Sequence, residues 1–214
     1  MTTEETVDRL LREAGRTYAA EAGINLADKP SPLYRLLTLS LLLSTRIKAD
    51  IAVAAARELH AAGYGTPRAM AEASWQDRVD ALGRAHYRRY DEQTATALGE
   101  GAELLLDRYH GDLRRVREAA DGDIDVLRDR LTEFPRIGPV GAAIFAREVQ
   151  EVWPEFRPQL DTKALQGAKK LGLPQDTSEL ARKVEGKALA RLAAGLVRVT
   201  LDDALARKVT EPTA

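Results

Sequence analysis

The sequence predicts an all-α fold, on two observations. Apolar residues recur at helical spacing through most of the 214 residues, and no run of alternating apolar and polar residues is long enough to form a sheet. Proline and glycine punctuate the chain between these stretches, as they do at helix ends. With 44% hydrophobic residues, the chain can bury a sizeable core as one large domain or two small ones.

The predicted helices are bounded by capping residues and by breaks in the apolar pattern. Segment 33–44 is apolar nearly all round, which in a soluble protein predicts a buried central helix. Residues 210–214 are expected to fray. The predicted helical segments are 6–22, 33–44, 49–62, a short one from 66, 75–82, 87–109, 112–119, 124–134, 139–149, 162–171, 178–199 and 201–208.

A helical hairpin within residues 127–173 is the most informative stretch. One helix ends near Phe134, because Pro135 disfavours the helical conformation in the residue before it. Residues 136–138 then make a tight turn. Pro139 starts the next helix at a position where the missing N–H costs nothing.

This hairpin is predicted to bind an anion. The backbone amides of Ile137, Gly138 and the first turn of the second helix are expected to point outward, at the positive end of the helix dipole. Gly138 lacks a β-carbon, so a phosphate oxygen can approach its backbone closely. Amides do not read bases, so such a contact would position a duplex without specifying its sequence. The alternative is an ordinary corner between two helices.

Asp161 opens the helix that follows an irregular, proline-bearing connection. Its position predicts a helix N-cap, the commonest role of an aspartate in that place. The hairpin at 135–139 followed by Leu-Asp-Thr at 160–162 resembles the helix–hairpin–helix DNA glycosylases of the endonuclease III superfamily. The resemblance runs in order from Pro30 to Leu173 and includes the leucine-rich helix 36–44 ahead of Thr45-Arg46, the stretch 83–87, and the helix ending at 109–111.

The resemblance implies a two-lobed helical fold with a cleft between the lobes. A six-helix bundle would span 31–150 and contain the helix–hairpin–helix motif at about 127–150. Residues 1–30 and 151–214 would form the second lobe, which carries Asp161. The hairpin would lie on one side of the cleft and Asp161 at its floor.

The resemblance also assigns roles to individual residues. Asp161 would be the catalytic carboxylate as well as a cap: breaking an N-glycosidic bond develops positive charge on the sugar, which a fixed carboxylate stabilises while it orients or deprotonates the attacking water. The substrate would be double-stranded DNA containing a damaged or mismatched base. The DNA-binding residues implied are Arg136, Ile137, Gly138, Val140, Gly141, Arg46 and Lys163.

The valine at position 140 predicts that the protein does not cut the DNA strand. In bifunctional relatives a lysine stands two residues after the hairpin glycine, where it forms a Schiff base with the sugar and cuts the strand. Valine has no amine, so a monofunctional glycosylase without lyase activity is expected. Lys163 is a substitute amine in one reading and an ordinary solvated lysine in the other.

Arg46 stands where relatives place a polar side chain that fills the gap left by the extruded nucleotide. Its guanidinium plane could stack there and bond the orphan base. The alternative is an exposed charge at a helix end. Residues 86–90 (His-Tyr-Arg-Arg-Tyr) combine aromatic rings with cations, which suits nucleic-acid contact and equally suits the start of a half-buried helix.

Composition limits the chemistry. The absence of cysteine excludes disulfides, thiol nucleophiles and the iron–sulfur cluster that many endonuclease III relatives carry, and the three histidines show no ligand spacing. No cofactor is therefore expected; a monovalent or divalent cation at the hairpin carbonyls is the one ion left open. Net charge is −1, but residues 161–214 hold ten lysines and arginines against seven acids, a modest basic excess compatible with DNA.

Three classes of function remain. The first is a base-excision glycosylase, with 3-methyladenine-type lesions as first candidates and uracil, thymine mismatches and oxidised bases open. The second is a non-catalytic helix–hairpin–helix protein that binds damaged, bent or abasic DNA. The third is a helical scaffold with no DNA role. The N-terminal stretch is acidic and amphipathic, unlike a signal peptide, so a cytoplasmic protein is expected, nucleoid-associated if the source is bacterial. It is also expected to be a monomer.

Overall fold

The computed structural model describes residues 2–211, and all regular elements within them are helical. The predicted all-α fold class is confirmed. Part of the segment expected to fray, 212–214, lies outside the described residues. The α-helices are α1 Thr3–Ala14, α2 Tyr18–Glu21, α3 Pro30–Leu43, α4 Ala49–Ala61, α5 Pro67–Glu72, α6 Trp75–Arg84, α7 Asp91–Tyr109, α8 Arg114–Ala120, α9 Ile124–Thr132, α10 Pro139–Val149, α11 Thr162–Lys170, α12 Thr177–Ala181, α13 Ala188–Leu201 and α14 Asp203–Thr210, with a 3-10 turn at Pro154–Phe156.

The chain divides into two compact units. One comprises residues 19–146, and the other comprises 1–18 together with 147–214. The divisions therefore fall at 18/19 and 146/147, where the sequence suggested 30/31 and 150/151. None of the described helices is long and apolar enough to cross a membrane.

In the 19–146 unit, α3 forms the centre. Its leucines at 33, 36, 39 and 42 are completely buried, as the all-round apolar pattern predicts. The hydroxyl of Ser40 is also buried and donates to the carbonyl of Leu36 at 2.8 Å, so the polar group costs little. Around this centre α3 packs on α4, α4 on α6, α5 and α6 on α7, and α8 on α9.

In the other unit, α13 takes the central place and packs against α1, α11 and α14. Two glycines set how closely these helices approach. A Cβ at Gly167 would lie 1.9 Å from the carbonyl oxygen of Leu196, and one at Gly195 would lie 3.0 Å from Cγ of Leu10. The helix that begins after Asp161 is therefore docked on α13 at a distance that only glycine permits.

Three predicted helices differ from the observed ones for identifiable reasons. Predicted helix 6–22 begins earlier, because Thr2 and Glu5 form a capping box, and it is interrupted after Ala14. Predicted helix 178–199 is broken into α12 and α13, and Gly186 adopts a left-handed φ of +51° between them. Predicted helix 87–109 begins only at Asp91, as described below.

Candidate functional site

The hairpin turn is closed by one hydrogen bond. The amide of Ile137 donates to the carbonyl of Phe134 at 3.0 Å, across Pro135 and Arg136. Arg136 has φ of +61°, so the turn has the features of type II, with proline at its second residue and a left-handed third residue. The expectation that the Ile137 amide points free is therefore wrong: that amide is used to close the turn, and the Ile137 side chain is buried.

The neighbouring amides remain available. Gly138, Val140 and Gly141 have no hydrogen-bond partner for their backbone N–H within residues 2–211, and Pro139 has no N–H to offer. A Cβ placed on Gly138 would meet nothing within 4 Å, so the approach to this backbone is open. Unpaired donors at a helix N-terminus beside an open glycine are the arrangement that binds an anion.

Val140 and Gly141 serve different purposes in the first turn of α10. The Val140 side chain is 61% exposed. Gly141 is buried, and a Cβ there would lie 3.2 Å from Cγ2 of Ile137 and 3.5 Å from Oγ of Ser44. The side of Gly141 that would carry a side chain therefore faces protein. Because Gly141 has no side chain, Ser44 at the end of α3 can pack close to the hairpin.

Arg46 lies two residues beyond Ser44, in the loop between α3 and α4. It is exposed, and its guanidinium has no hydrogen-bond or ion-pair partner in the part of the chain that the structure describes. The loop is held from beneath, because Thr45 Oγ1 lies 2.9 Å from the hydroxyl of buried Tyr87. The loop that carries Arg46 is thus anchored in the same unit as the hairpin.

Residues 86–90 form a loop and not the start of a helix. His86 takes φ of +59°, which turns the chain so that Tyr87 points into the core while Arg88 and Arg89 stay exposed. No helix is present between Ala85 and Tyr90, and α7 begins only at Asp91. We call the hairpin, the loop 44–48 and residues 86–93 (a loop and the first residues of α7) the three-loop face. Within it, Nη1 of Arg136 in the hairpin donates to Oε1 of Gln93 in α7 at 2.8 Å.

Asp161 caps α11, which confirms the capping prediction. Its Oδ1 accepts from the amide of Ala164 at 2.8 Å. Its Oδ2 accepts from Nη1 of Arg147 at 2.5 Å, and the Asp161 side chain is only 14% exposed. The resemblance implied a catalytic carboxylate that is also a cap; in the structure each of its oxygens has a hydrogen-bond partner.

Arg147 is the residue that sequence reasoning missed. Its side chain is 3% exposed, its Nε lies 3.8 Å from Oε1 of the fully buried Glu148, and its guanidinium carbon lies 5.7 Å from the ring centre of Tyr18. A signal was present, since two charged residues occupy a helix otherwise predicted to be apolar. A buried charge requires a partner, which the sequence pattern does not name.

The connection that leads to Asp161 is fastened by two glutamines. The side-chain amide of Gln150 donates to the carbonyls of Arg147 and Gln159 at 2.8 Å each, and its Oε1 accepts from the amide of Gln159 at 2.9 Å. Buried side-chain amides with their bonds made hold a segment in one conformation. The polypeptide between α10 and Asp161 is therefore ordered by these contacts.

Lys163 lies exposed in the first turn of α11, where its carbonyl accepts from Oγ1 of Thr200 at 3.0 Å. Within residues 2–211 no group of three histidine or acidic side chains is placed to hold a metal ion. The cation at the hairpin carbonyls stays a prediction.

Comparison with known proteins identifies the fold. No family model matches the sequence, and no curated protein matches it at a significant level. Two solved structures match over 93% of this chain and 86% of their own, each with a TM-score of 0.52 and 16% sequence identity. They are a trapped endonuclease III–DNA covalent intermediate in an estranged-adenine complex and a non-covalent endonuclease III–DNA complex. The fold that the hairpin and Leu-Asp-Thr motif predicted is thereby confirmed: this chain is an all-helical protein with the fold of endonuclease III.

Proposed function

We propose that this protein is a DNA glycosylase that hydrolyses the N-glycosidic bond of a damaged or mismatched base. The observation that carries the proposal is Asp161, a helix-capping carboxylate in a chain with the endonuclease III fold. Both similar structures are complexes with DNA, which supports DNA as the substrate of this chain.

The hairpin would hold the DNA backbone. The unpaired amides at Gly138 and Val140 match the acceptor oxygens of a phosphate, and the open space at Gly138 admits one; the amide of Gly141 is also unpaired, but that residue is buried. Contacts of this kind position a duplex without reading its sequence. The exposed cations of the three-loop face, Arg46, Arg88 and Arg89, would add phosphate contacts that weaken with salt.

Asp161 would act at the sugar. The nucleotide first leaves the base stack, which costs a few kcal/mol and least for a damaged pair. The bond from C1′ to the base nitrogen then breaks, and its electron pair leaves with the base. Asp161 stabilises the positive charge that develops on the sugar and orients the water that adds to C1′. The proton that this water loses is taken up by the departed base or, for a base that left as a neutral molecule, by solvent.

We propose further that the enzyme is monofunctional, because Val140 occupies the place of the lyase lysine. Sodium borohydride added to the protein with lesion-bearing DNA should give no covalent adduct. The substitution Val140→Lys, at a side chain that is already 61% exposed, is the positive control. Strong trapping with the wild type, abolished by Lys163→Ala, would show instead that Lys163 supplies the amine.

A lesion panel tests the activity itself. Duplexes that each contain one alkylated, deaminated, mismatched or oxidised base are incubated with the protein and then treated with alkali. Strand breaks should appear only after alkali, with N-alkylated purines as the first candidates. Asp161→Asn should slow excision by about 10³-fold while binding to an abasic-site duplex persists. Asp176→Asn is the matched control, because Asp176 caps α12 in the same way and is exposed.

One observation favours a second candidate, a non-catalytic protein that binds damaged or abasic DNA. The cap and the Arg147 ion pair give Asp161 a structural role that does not need catalysis. In that case the panel would show no excision, and affinity for abasic duplex would exceed that for intact duplex. Affinity that does not fall with added salt would exclude both DNA-binding functions.

A further inference from the structure

The carboxylate of Asp161 is held at both oxygens by groups of different kinds. The Ala164 amide binds Oδ1 at 2.8 Å, and Nη1 of Arg147 binds Oδ2 at 2.5 Å. An ionised carboxylate has about four lone-pair directions, so these two bonds leave roughly half of them free. With a side chain 14% exposed, Asp161 can present only an edge to a ligand.

Arg147 is itself fixed from several sides. Its side chain is 3% exposed, Glu148 lies 3.8 Å from its Nε, and the Tyr18 ring lies 5.7 Å from its guanidinium carbon. The backbone carbonyl of Arg147 is bound by Gln150. An arginine confined in this way transmits its position to whatever it binds, because its planar guanidinium has few orientations left.

We infer that Arg147 is a positioning residue for Asp161: it holds the carboxylate in one orientation, so that only the lone pairs left by the two hydrogen bonds meet the reacting sugar and water. This inference rests on the proposed function for its biological meaning. In physical terms, the preference of the protein for a cationic sugar over a neutral one depends on Arg147. Without the guanidinium, the Asp161 side chain turns about its χ angles and the charge no longer stands where the sugar cation forms.

The direction in which the affinity for a cationic sugar changes when Arg147 is removed distinguishes two possible roles of its positive charge. If its main effect were to neutralise Asp161, its removal would strengthen attraction for a cation. If its main effect is to position the carboxylate, its removal weakens that attraction. The confined geometry of Arg147 supports the second outcome, because a guanidinium with few orientations left also fixes the orientation of the carboxylate that it binds.

The test is equilibrium binding of two abasic-site duplexes, one with a neutral tetrahydrofuran and one with a cationic pyrrolidine in place of the deoxyribose. The wild type should bind the pyrrolidine duplex about tenfold more tightly, and Asp161→Asn should lose this preference. Arg147→Met keeps an apolar stem of similar length and should reduce the preference to within about twofold of that of Asp161→Asn. Affinity for the tetrahydrofuran duplex should stay within about twofold throughout.

Two further variants separate positioning from general damage. Arg147→Lys keeps the charge without the planar fork and should show an intermediate preference; it decides the question if Arg147→Met does not fold. Arg78→Met is the matched control: Arg78 is a buried arginine of the 19–146 unit whose Nη1 donates to the carbonyls of Met70 and Ala73, not to a carboxylate. It should lower stability and leave the preference unchanged.

The outcomes distinguish this inference from the proposed function. If the wild type excises a lesion but Arg147→Met keeps or increases the cation preference, the inference falls and the function stands. If the wild type excises nothing while the preference follows the predicted order, the inference stands and the function falls. A wild type with no preference for the pyrrolidine duplex overturns the inference whatever the excision result.

Discussion

The hairpin and the Asp161 region satisfy their polar groups in opposite ways. The hairpin leaves the amides of Gly138 and Val140 without partners, at a place with open space around Gly138. Asp161 has a partner on each oxygen, and Arg147 is buried beneath it. Water satisfies an exposed amide at little cost, whereas a charge in the interior must be paired. Polar groups at the exposed turn are therefore left without protein partners, whereas those around the interior charge are paired.

The largest effect is expected from a change that disturbs the packing of α11, the helix capped by Asp161, against α13. Gly167→Ala would place a Cβ against the Leu196 carbonyl of α13, so we expect a loss of about 3 kcal/mol in the free energy of unfolding. Urea denaturation measures it. Gly83→Ala is the control, because its Cβ would meet nothing within 4 Å, and it should gain about 0.5 kcal/mol. Equal stabilities for the two variants would contradict the close docking of α11 on α13.

The next comparison is between the buried ion pair of Arg147 with Asp161 and the exposed contact of Arg136 with Gln93. Asp161→Asn keeps an oxygen for the Ala164 amide but removes the carboxylate bonded to Nη1 of buried Arg147, so we expect a loss of about 3 kcal/mol. Arg136→Ala removes only an exposed contact with Gln93 and should change stability by less than about 0.5 kcal/mol. Thermal unfolding measures both. The double variant Arg147→Met/Asp161→Asn should recover part of the loss; if it does not, the ion pair is not the cause.

Two neighbouring glycines sharpen the description of the hairpin. Gly138→Ala should leave stability unchanged, because its Cβ enters open space, but should weaken binding to any duplex by about tenfold as the methyl group obstructs the phosphate. Gly141→Ala should instead lower stability by about 1 kcal/mol, because its Cβ crowds Ile137 and Ser44. Fluorescence anisotropy with a labelled duplex gives the affinities. Unchanged binding by folded Gly138→Ala would remove the hairpin from the DNA contact.

At Arg136 one substitution is expected to raise the stability of the protein and to weaken its binding to DNA. Its φ of +61° strains an arginine sterically but not a glycine, and this relief should exceed the entropy that glycine loses on folding, so Arg136→Gly should raise stability by about 0.5 kcal/mol. The same change removes an exposed cation and should reduce the slope of log affinity against log salt by about one unit. Chemical denaturation and a salt series measure the two effects. A stabilised variant with an unchanged slope would show that Arg136 does not contact phosphate.

The smallest effect concerns Arg46. If its exposed guanidinium fills the gap left by an extruded nucleotide, Arg46→Ala should weaken binding to an abasic-site duplex by about fivefold more than binding to intact duplex. Lys48→Ala, a basic residue of the same loop, is the control and should weaken both equally. Equal losses for Arg46→Ala would reduce Arg46 to a phosphate contact.

Local signals predicted the hairpin well and the loops poorly. Pro135, Pro139 and the cap at Asp161 act within a few residues, so their consequences can be predicted from the sequence and match the structure. The loop at 86–90 could not be predicted, because its conformation depends on Tyr87 reaching Thr45, which lies far away in the chain. The break after Ala14 escaped for a similar reason: Arg191 binds the carbonyl of Gly15 from a distant helix.

The sequence by itself determined the helical class, the position of the hairpin, the capping carboxylate and the absence of an amine at position 140, because each follows from the local chemistry of a few adjacent residues. Only the tertiary structure decided which of these groups are free to act. In the structure the Ile137 amide is bonded to the Phe134 carbonyl, the space around Gly138 is open, and Arg147 donates to Asp161. Pairing and exposure depend on residues that meet in space from separate helices, and no local pattern encodes those meetings.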